Sequence, residues 1–274
     1  MSLTNFLKNF KESNPNAKIL LDMPTYPYRQ EHGGLSGKIK MLIDGLLSKR
    51  LKSNVNYVLH SGFEKNIFDI PTIRMSNGIS CDTIKLKKYK GHLNYKMIAV
   101  GKWRKWHGLD RLIAGMSTYR EESKLKLDVV GDGPELANLK KLAKEKRLED
   151  RVFFHGACVG EKLDNLFNES DIGVGTLGLF RKGVVVDSSL KNRDYLARGL
   201  PVILSSEDAD IKSDFDFVCK VPEDESDIDV RLVERYIEGL NISDTINETR
   251  SFAENHLSWQ SKIKTLLTEL ERLK

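Results

Sequence analysis

Two clusters of residues in this 274-residue chain have the types and spacing needed to bind a diphosphate. The first is a run of cations and one histidine that follows Gly101, namely Lys102, Arg104, Lys105 and His107. The second is the run Ser188-Ser189-Leu190-Lys191 at the start of a helical pattern. Proteins bind a diphosphate with backbone N–H groups at a helix N terminus and with fixed cations, and the second cluster offers both.

Each cluster also has a plain structural explanation. Ser188 or Ser189, taken alone, could simply cap the helix. The cations of the first cluster could lie in an ordinary solvated loop. Both clusters, however, belong to one predicted parallel sheet, and loops that follow such strands meet at the carboxyl edge of the sheet. The combination therefore favours an anion-binding site.

The elements that must position these clusters are predicted by apolar runs that alternate with amphipathic stretches from Lys96 onward. This alternation is typical of a parallel sheet with crossover helices. The predicted strands are at 97–100, 125–130, 152–154, 172–175 and 201–204. The predicted helices are at 109–119, 163–170 and 190–198, and one more begins at Pro134. These elements predict one complete, doubly wound Rossmann-like domain.

Fewer elements precede Lys96: strands at 18–22, 55–59 and 71–75, and a helix at 38–52. They amount to about half of a Rossmann-like domain. We therefore expect a shortened N-terminal half, and Met1-Ser2-Leu3 resembles an added start. The predicted division is a partial N-terminal domain at 1–90, a complete domain at 91–255, and a closing helix at 256–274 that packs back on the N-terminal part. Asn77-Gly78 supplies a tight turn for the hinge.

Composition narrows the classes of function. The net charge of +5 is spread along the chain, and no aromatic residues interleave with a basic stripe, so nucleic acid is not an expected partner. No apolar run approaches the roughly 18 to 20 residues that span a bilayer. The three cysteines have neither disulfide nor zinc spacing, so we expect a cytoplasmic protein without a metal site. The helix at 38–52 is expected to face the core, with peripheral membrane contact as the alternative.

Four motifs stand in a defined order along the chain. They are the hinge from Ile73 to Ile79, the strand, loop and helix from Ile98 to Ile113, the strand and turn from Leu127 to Glu135, and the loop and helix from Ser188 to Val202. In this order and spacing they resemble the fourth family of glycosyltransferases, which are retaining enzymes of the GT-B architecture with two Rossmann-like domains. The likeness is greatest to polysaccharide-building members.

The resemblance implies an α/β fold of the GT-B type and a cytoplasmic hexosyltransferase, with a place at the inner face of the membrane as an option. Its partners would be a nucleoside diphosphate sugar as donor and a glycan or lipid-linked acceptor, with no cofactor. No protein nucleophile is assigned. The residues expected at the donor diphosphate are Gly101, Lys102, Arg104, Lys105, His107, Ser188, Ser189, Leu190 and Lys191. Those expected near the ribose and base are Gly131, Asp132, Ala157, Cys158 and Asp194.

Two features depart from the family's pattern. His107 stands where many members carry a lysine, so the phosphate charge must be met by the nearby cations or by a protonated histidine. The usual pair of glutamates corresponds to Val186 and Asp194. Asp194 can accept hydrogen bonds from ribose hydroxyls or pair with a neighbouring arginine. Asp187, one residue from the lost glutamate, is an alternative acid.

Two other functions stay open. A non-catalytic module that binds a nucleotide sugar is consistent with the short N-terminal part. An NAD-dependent oxidoreductase is disfavoured, because Gly131-Asp132-Gly133-Pro134 lacks the third glycine of the dinucleotide fingerprint. It also carries an acid where a pyrophosphate would lie.

Overall fold

The computed structural model describes residues 3–23, 26, 51–88 and 95–273. The chain divides into two compact units, Met1–Asn77 with Ile263–Lys274 and Gly78–Lys262. The helix predicted at 38–52 lies outside the described residues except for its last two positions. In the described part of the chain, no helix is long and apolar enough to cross a membrane.

The first unit contains a small sheet. Its strands are β1 (Leu20–Asp22), β2 (Tyr57–His60), β3 (Asn66–Ile67) and β4 (Ile70–Arg74), and helix α1 (Leu3–Ser13) precedes them. The order is β1-β2-β4-β3, with β3 antiparallel to β4 and the other pairs parallel. Leu7 of α1 packs with Val58, Ile67 and Ile70 in a small core. Among its described residues, this unit therefore contains a small, mostly parallel sheet.

The second unit contains a six-stranded parallel sheet. Its strands are β5 (Lys96–Lys102), β6 (Lys126–Asp132), β7 (Val152–Gly156), β8 (Ile172–Val174), β10 (Val202–Leu204) and β12 (Val218–Lys220). Their order is β7-β6-β5-β8-β10-β12, which is the Rossmann order. A separate two-stranded pair joins β9 (Val186–Asp187) to β11 (Glu207–Asp208). The predicted complete Rossmann-like domain is thus confirmed, with β12 as an edge strand that the sequence analysis missed.

Helices cover both faces of this sheet. They are α2 (Leu109–Thr118), α3 (Leu136–Glu145), α4 (Gly160–Asn168), α5 (Leu190–Ala197), α6 (Val230–Glu238) and α7 (Ile242–Phe252). Met97 and Ala99 of β5 pack in the layer of α2, α3 and α6, whereas Ile98 packs in the layer of α4 and α5. Because both faces of the strands are buried, the strands are continuous apolar runs rather than alternating ones. The helices α6 and α7 were not predicted.

The closing helix α8 (Trp259–Arg272) follows a π-helical segment, Ala253–Leu257. Within the first unit, Leu266 packs with Leu59 and Ile73, and Leu270 borders the same cluster. Leu266 and Leu270 lie about one helical turn apart, which places both on one face of the helix. This packing confirms the prediction that the closing helix returns to the N-terminal sheet.

The first division between the units falls between Asn77 and Gly78, thirteen residues before the predicted boundary at 90. The second falls between Lys262 and Ile263, seven residues after the predicted boundary at 255. Backbone hydrogen bonds explain the difference. Ile79 N–H donates to Leu257 O at 2.8 Å, and Trp259 N–H donates to Ile79 O at 3.2 Å. The segment after Gly78 is therefore part of the larger unit, a pairing between distant segments that local sequence patterns do not report.

Candidate functional site

The centre of the large sheet is the point where the chain changes direction. From β5 the chain proceeds to β6 and β7 on one side, and from β8 it proceeds to β10 and β12 on the other. In open α/β sheets, the crevice at the carboxyl ends of two such strands is the usual ligand site. Here the crevice is formed by the loops that follow Lys102 and Val174.

The loop after β5 is a short 3-10 helix, Lys105–His107, closed by Gly108. Arg104 N–H donates to His107 Nδ1 at 3.0 Å, so the neutral imidazole carries its proton on Nε2. Gly108 has φ of +66°, and a Cβ there would lie 2.6 Å from backbone atoms of Leu177 and Gly178. Only glycine therefore allows the loops after β5 and β8 to approach this closely.

The same two loops are joined by hydrogen bonds and ion pairs. Leu177 N–H donates to His107 O at 2.9 Å. Arg181 donates to both oxygens of Asp110, at 2.7 and 2.9 Å, and to Lys105 O at 2.8 Å. It also pairs with Glu225. A bidentate arginine fixes both the position and the orientation of the groups that it joins. Arg181 therefore holds the two loops together, and its charge is already paired with carboxylates.

Lys191 is the cation with the most unusual surroundings. Its Nζ is buried and has no hydrogen-bond partner in the part of the chain that the structure describes. Burial lowers the pKa of Lys191 to about 8, against the opposing charge of Asp187. A buried ammonium without a partner is costly. Such a group is expected where a ligand supplies the missing anion.

Several cations, including Lys191, lower the pKa of the His107 imidazole. Burial first and Lys191 second lower the pKa of His107 to about 3, and Arg104 and Lys182 contribute in the same direction. His107 is therefore neutral at physiological pH, so the protonated histidine that the sequence analysis left open is not present in the ligand-free site. The charges of Lys191, Arg104 and Lys182 thus act on one neutral imidazole, which can donate a hydrogen bond through Nε2–H.

Lys102 and Lys105 are placed differently from Arg104. Lys102 is exposed at the end of β5, opposite Asp132 of β6. Lys105 is exposed and is among the cations that, after Arg181, lower the pKa of Glu225. Of the three cations predicted after Gly101, Arg104 thus lies at His107, whereas Lys105 acts on Glu225.

The turn before α5 is held by Asp187. Its carboxylate accepts from Ser189 N–H at 2.9 Å and from the Ser189 hydroxyl at 3.1 Å. Ser189 is the N-cap residue of α5, but its side chain does not cap the helix. The Ser189 amide thus donates within the turn, and its contact with a diphosphate stays a prediction. Leu190 and Lys191 remain as the amides at the start of the helix.

A buried ionic network supports this turn from behind. Asn192 Nδ2 donates to Asp187 and Asp208, at 3.3 and 3.1 Å. Arg193 is fully buried and makes two hydrogen bonds to Asp208, at 2.8 and 3.0 Å, and one to Asp210. Lys262 of α8 pairs with the same Asp210 at 2.5 Å. The network ties the start of α5 to β11 and to α8.

The predicted ribose and base residues are spread along the sheet edge. Asp194 is half-buried and accepts from Arg198 at 3.0 Å, the alternative that the sequence analysis left open. Gly131 lies inside β6 against Gly101 O, and Asp132 accepts from Gly133 N–H at 2.7 Å. Exposed Ala157 and buried Cys158 follow the edge strand β7. That strand is two positions from β5, or about 10 Å at ordinary strand spacing.

Buried polar side-chain atoms without a partner gather at the same edge. Among the described residues there are four: Trp103 Nε1, Lys191 Nζ, Asn192 Oδ1 and Ser206 Oγ. Trp103 follows β5, Ser206 follows β10, and the other two lie in the first turn of α5. Nearly all buried polar atoms in native proteins are hydrogen-bonded. Their concentration at one carboxyl edge indicates a site built for a polar ligand.

Residues that the sequence analysis missed also belong to this edge. They are Trp106, Lys182, Asn192 and Ser206. Lys182 had a weak signal, because Arg181-Lys182 is a basic pair in a glycine-bounded loop after a buried strand. Asn192 and Ser206 had none, since their burial depends on contacts between distant segments.

Comparison with known proteins finds a family model and solved structures that are similar to this chain. Residues 83–209 match the family model of glycosyl transferases group 1. A search of curated proteins finds no match. Sucrose-phosphate synthase from Thermosynechococcus elongatus superposes with a TM-score of 0.69 at 14% identity, over 98% of this chain and 71% of that protein. Anabaena HepE in complex with UDP gives 0.69 at 13% identity, over 98% and 77%. A glycosyltransferase from Rickettsia africae gives 0.67 at 12% identity, over 98% and 80%.

The fold is therefore of the GT-B type, with α/β units built on parallel sheets. Within that architecture, the segment 83–209, a little under half of the chain, is the part similar to the family of glycosyl transferases group 1. This segment runs from the hinge side of β5 through the turn that holds Lys191 to β11. It thus contains both clusters that the sequence analysis predicted to bind a diphosphate.

Proposed function

We propose that this protein is a retaining hexosyltransferase that moves a sugar from a nucleoside diphosphate donor to a growing cell-surface polysaccharide or a lipid-linked glycan. The observation that carries the proposal is the buried ammonium of Lys191 at the carboxyl edge of the Rossmann-like sheet, which has no hydrogen-bond partner among residues 3–23, 26, 51–88 and 95–273. A diphosphate supplies the anion that this group lacks.

The proposed roles follow from the geometry. Lys191 and Arg104 neutralise the diphosphate, and the amides of Leu190 and Lys191 donate to it at the N terminus of α5. His107 donates through Nε2–H as a neutral group. Negative charge grows on the diphosphate as the bond to the sugar breaks, so donors fixed in advance around it stabilise the transition state. These protein groups do this without a metal ion in the proposed mechanism.

Other observations support the donor class and the location. Anabaena HepE, which shares the fold, has been solved with UDP and with UDP-glucose. UDP is therefore a rational first probe. The three cysteines are free, and all are buried, which fits the proposed cytoplasmic location, at the inner face of the membrane.

The proposal is tested by binding and by turnover. Titration calorimetry with UDP, GDP and ADP identifies the nucleotide, and a bound diphosphate at 100 times its Kd should stabilise the fold by about 2.7 kcal/mol. Donor consumption is then followed by mass spectrometry, and the anomeric configuration of the product by NMR. Absence of binding to every nucleoside diphosphate would refute the proposal. An inverted product would refute the retaining mechanism alone.

One observation favours a non-catalytic module that binds nucleotide sugars. The acid pair of the family corresponds to Val186 and Asp194, and Asp194 is engaged by Arg198. The nearby Asp187 is engaged by Ser189 and Asn192. Tight binding of UDP-glucose with no turnover, with or without acceptor glycans, would establish this alternative.

A further inference from the structure

Lys182 ends a short 3-10 helix, Leu179–Lys182, in the loop after β8. Its Nζ lies 5.3 Å from the centroid of the Trp106 ring, and the Arg104 guanidinium carbon lies 5.2 Å from the same centroid. Trp106 is the residue before His107 in the loop after β5. Two cations from the two loops of the crevice therefore share one aromatic side chain.

The position of Lys182 is fixed by its neighbour. Arg181 holds the 3-10 helix to Asp110, Glu225 and the Lys105 carbonyl. The positive charge of Arg181 is thus balanced by two carboxylates. Lys182 is one of the cations that lower the pKa of His107, together with Lys191 and Arg104. Of two adjacent basic residues, one shapes the loop and the other adds charge to the crevice.

A single cation is a poor match for a diphosphate. Each of its two phosphate groups is ionised near neutral pH, and cations beside each group stabilise binding. Lys191 and the amides of α5 form one set of donors at the helix N terminus. Arg104 and Lys182 form a second set on the Trp106 side chain, where the aromatic ring favours cations nearby.

We propose that Lys182, placed beside Arg104 on Trp106, is a donor-binding residue that neutralises the second phosphate group of the nucleoside diphosphate. This inference rests on the proposed function and extends it to a loop outside the expected diphosphate motifs. It assigns Lys182 and Arg104 to one phosphate, and Lys191 with the amides of α5 to the other.

The test compares Lys182→Met with the matched control Lys140→Met. Lys140 lies in α3, and its Nζ is 5.9 Å from the centroid of the Phe154 ring. Each change removes a lysine charge beside an aromatic ring and keeps a long apolar side chain. Calorimetry measures UDP and UMP affinity for the wild type and both variants. Thermal unfolding shows whether each variant is folded.

Lys182→Met is expected to lower UDP affinity by roughly tenfold or more, the loss expected for one charge-assisted bond. UMP affinity should stay within about twofold, because UMP lacks the second phosphate. Lys140→Met should change neither, and Lys182→Arg should restore UDP affinity because it keeps the charge. If Lys182→Met does not fold, Arg104→Met, which removes the other cation of the pair, must reproduce the selective loss of UDP affinity.

The outcomes separate this inference from the proposed function. Equal UDP affinity in the wild type and in folded Lys182→Met overturns the role of Lys182. An equal loss for UDP and UMP overturns its assignment to the second phosphate. A wild type that binds no nucleoside diphosphate refutes the proposed function itself.

Discussion

Replacing Lys191 with methionine should raise the stability of the protein and weaken its binding of UDP. Methionine has a similar length and no charge, so the change removes the buried ammonium without opening a large cavity. The two effects have opposite signs because the ammonium of Lys191 has no hydrogen-bond partner among the described residues. A residue that only supported the fold would give a loss of stability instead.

The magnitude follows from the pKa. Burial lowers the pKa of Lys191 from 10.5 to about 8, and at ~1.36 kcal/mol per pKa unit the charged form is disfavoured by about 3 kcal/mol. A lowered lysine pKa means that the unfolded state binds more protons between about pH 8 and 10.5. The cost is therefore fully present below about pH 8 and disappears as the pH approaches 10.5. Lys191→Met should be more stable than the wild type by up to about 3 kcal/mol at pH 7.

The assay combines chemical denaturation with calorimetry. The stability difference between Lys191→Met and the wild type is measured at pH 7 and pH 10, and it should shrink at the higher pH. UDP affinity at pH 7 should fall by about 10- to 150-fold, which corresponds to ~1.5 to 3 kcal/mol for a charge-assisted bond. Wild-type affinity should itself decline above about pH 8, where Lys191 loses its proton.

Lys87 provides the control. It is also buried, and burial also lowers its pKa to about 8. Its Nζ, however, donates to Ser170 O at the amino end of β8, away from the crevice. Lys87→Met should leave UDP affinity unchanged. The reasoning is refuted if Lys191→Met is less stable than the wild type at pH 7 and binds UDP equally well.

Three further predictions concern the elements around the site. Asp208→Ala leaves part of the Arg193 guanidinium unpaired, so the free energy of unfolding measured in urea should fall by about 3 kcal/mol or more; a loss below 1 kcal/mol would show that the network is not needed. Gly108→Ala should destabilise more than Gly160→Ala, because both have positive φ but only Gly108 meets backbone within 3 Å; equal unfolding midpoints would contradict this. Since burial and Lys191 keep the pKa of ligand-free His107 at about 3, NMR of the apo protein should show no titration of its imidazole between pH 5 and 7.5, and a midpoint in that range would refute a neutral histidine.

The local pattern of apolar residues was sufficient to predict most strands and helices of the large sheet domain. Strands buried on both faces are short apolar runs, and each crossover helix shows an apolar stripe, so β5, β6, β7, β8 and β10 were predicted within a few residues of their bounds. The partial N-terminal sheet and the closing helix were predicted for the same reason. The helices α6 and α7 were missed despite buried positions such as Val233 and Thr249.

The sequence by itself also placed Arg104, His107 and Lys191 at the carboxyl edge of the sheet, because loops that follow parallel strands must meet there. Only the tertiary structure decided which groups are partnered. Arg181 is engaged by Asp110, 71 positions earlier. Lys182 approaches Trp106 from another loop. Burial and pairing depend on contacts between segments far apart in the chain, and local periodicity carries no information about them.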